Sequence, residues 1–357
     1  PLEKDAPDSS HIDEAAATAM LRTAIDSGVN YIDTAYPYHG KQSEPLVGRA
    51  LRDGYREKVK LATKLPSWLV KEPADFDRLL NEQLGRLGTD HIDFYLLHGL
   101  DSDRWENMKK NGVFDFIERA KKSGRIRYIG FSFHDELPVF KRIIDAWDWD
   151  MCQIQFNILD VNYQAGETGL RYAASKGIPV VVMEPLRGGS LVQHVPADVQ
   201  KVWDEYPEHR SAAEWGFRWV CNHPEVTVVL SGVSNMEQTR DNLRIFEKAL
   251  PNSMSERELE LVGRVQAIYR SRIRVGCTGC EYCLPCPKQV NIPGVFRIYN
   301  NAGLFGLPAD VTRPQYRKLI ESRNDVSQCV RCGQCETKCP QHIEIRRRLR
   351  EADAALR

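Results

Sequence analysis

Residues 29–34 read VNYIDT, residues 59–65 read VKLATKL and residues 93–98 read DFYLLH. Each is a short run, apolar or β-branched at most positions, without the strict polar alternation of a strand that faces water. Runs of this kind are buried on both faces, which predicts parallel sheet covered by helices. Working outward, similar runs recur at 128–133, 152–157, 179–186 and 226–233. Stretches with helical periodicity fall at 14–26, 75–87, 112–123, 137–146, 166–175 and 212–221. Alternating strands and helices at this spacing leave a doubly wound sheet or a (β/α)8 TIM barrel. Seven strands are countable and a helix precedes the first of them, whereas a closed barrel has eight. The chain opens on Pro1 without Met, so a barrel whose first strand lies upstream is the reading adopted, with an open seven-stranded sheet as the alternative.

Composition narrows the class. The 357 residues are 42% hydrophobic, enough to bury an ordinary core. Lys plus Arg and Asp plus Glu both number 49, so no basic excess argues for a nucleic-acid partner. The longest apolar run, 178–183, is far short of the ~20 residues of a membrane span, and the N-terminus lacks a basic-then-apolar leader. A soluble, cytoplasmic protein with no membrane or nucleic-acid partner is expected.

Three ionisable residues end predicted strands: Asp33, Lys64 and His98, with Tyr38 five residues after Asp33 in the following loop. In a parallel barrel every strand opens its C-terminal end on one face, where such residues converge. Any one of them alone is more simply a helix cap or an ion-pair partner. Together they can act on a carbonyl. An ammonium beside a phenol favours the phenolate and lowers its pKa, and an aspartate holds the lysine in place. A neutral histidine can donate a hydrogen bond to a carbonyl oxygen, so the set can polarise C=O and deliver a proton.

The segments YIDTAYPYHG…SEPLVGRAL, ATK and YLLH resemble the aldo-keto reductase family over about residues 12–250. The resemblance implies a (β/α)8 barrel and a tetrad of Asp33, Tyr38 as general acid, Lys64 as its pKa tuner and His98 as carbonyl orienter. It implies NADP(H) or NAD(H) as cofactor, with Ser132 and Gln153 on the nicotinamide carboxamide. Phe133 stands where the family has Asn. Met183, followed by Pro185 and Leu186, replaces the family's stacking aromatic segment. The run SGVSNMEQTRDN resembles the adenine-end motif, which implies Gln238 and Asn242 as adenine contacts and Gly232, Ser234 and Asn235 in the phosphate-facing turn.

Eight of the ten cysteines fall in two runs: Cys277, Cys280, Cys283 and Cys286, then Cys329, Cys332, Cys335 and Cys339. Spacings of two residues, then a Cys-Pro, are those of a chain wrapping [4Fe–4S] cubes, in which the Cys-Pro cysteine serves the other cluster. Two four-cysteine zinc sites would use the same eight thiolates. The pattern looks like a dicluster ferredoxin domain, which implies two [4Fe–4S] clusters. One takes Cys277, Cys280, Cys283 and Cys339; the other takes Cys329, Cys332, Cys335 and Cys286. Cys152 and Cys221 read as core residues. Helices are expected at 256–272, 292–300, 313–322 and 343–356. The last places Ile345, Leu349, Ala352 and Leu356 on one stripe, with Arg346, Arg347, Arg348 and Arg350 largely opposite.

The expected organisation is a barrel over 1–250, a linker helix over 251–275 and an iron–sulfur domain over 276–357. The expected function is reduction of a small-molecule carbonyl by NAD(P)H, with fused clusters exchanging electrons with a ferredoxin-like carrier. The competing expectation is a redox-sensing or electron-transfer protein whose barrel is a binding scaffold.

Overall fold

The computed structural model describes residues 1–357 apart from 5, 7, 278, 280 and 340. Two compact units divide the chain, one formed by Pro1–Pro185 with Phe217–Ser253, the other by Leu186–Gly216 with Met254–Arg357.

The first unit is built on seven parallel strands: β1 (Tyr31–Asp33), β2 (Lys60–Leu65), β3 (Ile92–Leu100), β4 (Ile126–Phe133), β5 (Met151–Gln155), β6 (Val180–Met183) and β7 (Val226–Val229). They pair in sequence order. An open doubly wound sheet would change direction at a switch point; this one does not. The helix before β1, Glu14–Asp26, packs on the helix after β7, Met236–Phe246, so the sheet curls round toward its own edge. This is barrel architecture with seven strands among the described residues. Leu2 and Ile12 form an isolated antiparallel bridge ahead of the first helix.

Strand parity sets what faces the interior. Ala62, Leu96, Met151 and Val181 form a buried cluster with Tyr31, Phe94, Val228 and Leu230 packed against it. The opposite parity faces the helices; Phe131 and Phe133 pack on Phe140 of the helix Leu137–Ile144. Gly130 lies on the interior parity beside Met151, where a Cβ would come within 2.7 Å of the Met151 backbone oxygen.

The second unit carries the cysteine runs. Its helices Ile292–Leu304 and Ile345–Leu356 pack together around Val295, Phe296, Ile298, Tyr316, Ile345 and Leu349. The stripe expected on the last helix is buried at all four positions. Its arginines are largely spent on neighbouring acids: Arg346 on Glu336, Arg347 on Glu344 and Glu351, Arg348 on Glu351. In the same unit the helix Glu256–Ser271 begins with a capping box between Ser255 and Glu258, and Glu258 also pairs with buried Arg210.

Candidate functional site

Asp33, Lys64, His98, Ser132, Gln153 and Met183 all share the parity of the interior cluster, one step nearer the C-terminal ends of their strands. The strand pattern therefore aims all six at one end of the barrel. Tyr38 reaches the same place from the turn after β1. The three residues that follow it, His39, Gly40 and Lys41, all have positive φ (50°, 58° and 73°). Such backbone is costly for His and Lys and persists only where surrounding structure enforces it.

The Lys64 ammonium is the hub. It is 1% exposed, pairs with the Asp33 carboxylate, donates to the Thr34 carbonyl at 2.9 Å and lies 3.5 Å from the Tyr38 hydroxyl. Burial opposes its charge, but Asp33 and Tyr38 outweigh burial and hold its pKa above the ordinary lysine value. Burial raises the Asp33 carboxyl in turn, against the pull of Lys64 and Gln153. Gln153 Nε2 sits 3.5 Å from the other Asp33 oxygen. A continuous polar chain thus runs from Gln153 through Asp33 and Lys64 to Tyr38.

The His98 ring stands edge-on to Tyr38, with centroids 5.9 Å apart, and 5.2 Å from the ring of Trp68. Burial first, then Lys64, His134 and Arg104, push its pKa down to about 3. His98 is therefore neutral at physiological pH and keeps one ring N–H that can donate to a carbonyl oxygen. A folded-state pKa below the unfolded value of 6.5 means the unfolded chain binds the extra proton. Its contribution to stability is accordingly present above pH 6.5 and lost as pH falls toward 3. Turnover is expected to show no His98-dependent limb between about pH 5 and 8, so His98→Gln should leave the shape of the kcat/KM–pH profile unchanged. A limb near pH 6.5 that vanishes in His98→Gln would contradict this.

Two buried polar groups at this end lack partners among the described residues: His98 Nδ1 and Gln153 Oε1. Ser132, the register neighbour of Gln153, accepts from the Gly99 amide at 2.8 Å, which leaves its own O–H to donate. A free acceptor and a free donor side by side suit a carboxamide, so these residues fit the nicotinamide end of a dinucleotide. Phe133 belongs to the helix-facing parity and is fully buried against Phe140. Met183 ends β6 and is partly buried, Pro185 is buried and Leu186 half-buried, with Glu184 and Arg187 at positive φ around them.

In the loop after β7, Asn235 caps the helix Met236–Phe246 through the Gln238 amide. Gln238 Oε1 accepts from the Ser234 amide at 2.8 Å, and Asn242 donates to the Ser231 hydroxyl at 2.7 Å. Gly232 is exposed beside them. The polar groups expected at the adenine end thus pin their own turn together.

Sequence reasoning missed the residues behind and beside this end. Glu44, fully buried, accepts from Thr63 at 2.7 Å and Gln83 at 2.5 Å and pairs with Arg86. Gln83 also donates to the Lys64 carbonyl at 3.0 Å and accepts from Tyr95. Glu44 thereby ties the helix after the Tyr38 turn to the strand that bears Lys64. An acid on an amphipathic helix gives no sequence sign of being buried. Trp68, four residues after Lys64, carried a weak signal as a lone aromatic in a strand-end loop.

Cys286, Cys329, Cys332, Cys335 and Cys339 are free thiols, and Cys280 lies outside the described residues. Cys286, Cys329, Cys332 and Cys335 line one cavity, together with Cys283. Cys277, Cys283 and Cys339 line a second. Cys286 of the first run thus lies with the second run, and Cys339 of the second run with the first. Among the described residues no three Cys, His, Asp or Glu side chains converge tightly enough for a single ion. A cavity lined by several thiols suits a thiolate-ligated cube. Gly279, Glu281, Arg331 and Gly333 all have positive φ, so the loops double back around the cysteines. Burial raises the pKa of Cys152 far above its usual value and pushes Cys221 up to about 11, in keeping with inert core thiols.

Residues 5–259 match the aldo/keto reductase family, and residues 276–344 match the 4Fe-4S dicluster domain. The chain is 27% identical over 258 residues to an uncharacterized oxidoreductase, YqkF, of Bacillus subtilis, covering 64% of this chain and 81% of that protein. It is 27% identical over 272 residues to the methylglyoxal reductase YeaE of Escherichia coli, covering 68% and 88%. Among solved structures, the holo form of aldo-keto reductase AKR11C1 from Bacillus halodurans superposes with a TM-score of 0.60 at 27% identity, over 71% of this chain and 87% of that one. An aldo-keto reductase from Klebsiella pneumoniae, solved with NADPH, shares the fold with a TM-score of 0.61 at 24% identity, over 73% and 88%.

Proposed function

Because this chain belongs to the aldo/keto reductase family, we propose that it reduces an aldehyde or ketone with NAD(P)H and that its second unit carries two [4Fe–4S] clusters for electron transfer. The observation that carries the reading is Lys64, buried between the Asp33 carboxylate and the Tyr38 hydroxyl. NAD(P)H, when bound, supplies the hydride. Ser132 and Gln153 would hold its carboxamide, and Gln238 and Asn242 its adenine end. His98, neutral, donates to the substrate oxygen and fixes the carbonyl against Tyr38. The Tyr38 hydroxyl gives its proton to that oxygen. The Lys64 ammonium stabilises the charge left on the phenol oxygen. Asp33 keeps the ammonium in position. Trp68 and Tyr38, 42% and 39% exposed, form aromatic walls for a small apolar substrate body.

Oxidation of NADPH and of NADH by anaerobically purified protein against a panel of small aldehydes and ketones tests this directly. Turnover of at least one carbonyl is expected. Cofactor binding with no turnover across the panel would instead leave the barrel as a binding scaffold. No helix among the described residues is long and apolar enough to cross a membrane.

Cysteines lining two cavities support the cluster reading. Anaerobic preparations are expected to contain about eight irons and about eight acid-labile sulfides per chain. Stoichiometric zinc without labile sulfide would overturn it.

A further inference from the structure

We propose that the face around Cys332 is a docking port for a small, acidic, one-electron carrier protein. This rests on the reading that the cysteines hold clusters. Cys332 is the exposed cysteine among those described; the others are buried or partly so. The cavity it lines with Cys286, Cys329 and Cys335 has four ionisable neighbours besides cysteine, all cationic: Lys288, Arg331, Lys338 and Arg346. Arg346 is paired with Glu336. Lys288, Arg331 and Lys338 are exposed and make no ion pair among the described residues. The second cavity, at Cys277 and Cys339, has Glu281 as its charged neighbour and is otherwise walled by apolar side chains and Gln341.

The asymmetry extends to the surface. Val330, between Cys329 and Arg331, is 59% exposed, and Tyr282, next to Cys283, is 61% exposed. They are the two most exposed large apolar side chains among the described residues, and both adjoin cluster cysteines. Residues 276–357 contain 13 Lys and Arg against 8 Asp and Glu, in a chain that is neutral overall. An exposed apolar side chain ringed by unpaired cations is the complement of an acidic protein with an apolar contact near its redox centre. Complementary charge also speeds encounter, which suits a brief exchange more than a tight complex. The exchange is a single electron passing between the carrier's centre and the cluster, with no bond made or broken.

The same cations also offset the negative charge of a thiolate-ligated cluster, so the test must separate docking from tuning. The anaerobic holoprotein, its iron and sulfide already counted, is titrated calorimetrically with a strongly acidic 2[4Fe–4S] ferredoxin at low and at high salt. Saturable binding is expected, weakened by salt. The triple variant Lys288→Glu, Arg331→Glu, Lys338→Glu should lower affinity by roughly tenfold or more, with cluster content unchanged. If the reversals impair cluster assembly, the three Gln variants provide the milder comparison. Carboxyl-to-amine crosslinking should join the carrier to Lys288 or Lys338. Unaltered affinity in both triple variants overturns the proposal. So does a shift in cluster potential without loss of affinity, which would make the cations tuning groups only. Tighter binding of duplex DNA than of the carrier would overturn it as well. Loss of iron from the wild-type protein would instead refute the cluster reading, and the count made beforehand tells the two failures apart.

Discussion

Tyr38→Phe is expected to lower carbonyl turnover by ~10²–10⁴-fold, the usual worth of a positioned general acid, while leaving folding and cofactor binding intact. The substitution deletes one hydroxyl from a ring that is 39% exposed, and that hydroxyl's contact with Lys64 is a long one at 3.5 Å. The phenyl ring still stands edge-on to His98, so the wall of the site is preserved. Little stability is at stake. What disappears is the hydroxyl proton that the Lys64 ammonium can help to leave. The loss should fall on kcat, because the interaction strengthens only as charge develops on the phenol oxygen. NAD(P)H affinity, followed by cofactor fluorescence, should be unchanged. If Tyr38→Phe binds cofactor and reduces carbonyls at the wild-type rate, the tetrad is inherited scaffolding and the proton comes from elsewhere.

The strands were legible because burial on both faces leaves a period-free apolar signature. The alternation with helices left a doubly wound sheet or a barrel, and pairing of the strands in sequence order decides for the barrel. Asp33, Lys64 and His98 were legible for a related reason: a charged residue closing an apolar run is conspicuous, and one parity carries all three to the same end. Glu44 was not. Its helix, Ser43–Ala50, is short and weakly amphipathic in sequence, and only the approach of Thr63, Gln83 and Arg86 from other elements makes the acid a buried one. Phe133 shows the converse limit. Read as a replacement for an amide in the cofactor site, it turns out to belong to the helix-facing parity, which strand counting from Ser132 would have shown. The cysteine runs carried their chemistry in spacing alone. The charge around each cavity was hidden, because Lys288 and Lys338 are far apart in sequence and meet only when the two runs cross.

Lys64→Met should fail in two separable ways. Lys64 is buried and faces a carboxylate that is itself only 11% exposed. Removing one member of a buried ion pair leaves the other without compensation, at a cost of roughly 3–5 kcal/mol. Asp33 would keep only Gln153 as a side-chain partner, at 3.5 Å, so a clear drop in urea midpoint is expected. Asp33→Asn in the same chain removes the stranded charge, and most of the lost stability should return. Activity should not. The phenol of Tyr38 would still be present in both variants, yet nothing would stabilise the charge left as its proton departs, and rates should stay ~10²–10³-fold down. A purely structural role for the lysine forecasts the opposite coupling: turnover would recover with stability in the double variant. The decisive quantity is therefore turnover per folded, cofactor-bound molecule. Recovery of that figure in Asp33→Asn, Lys64→Met would remove Lys64 from the chemistry and leave it as a brace between β1 and β2.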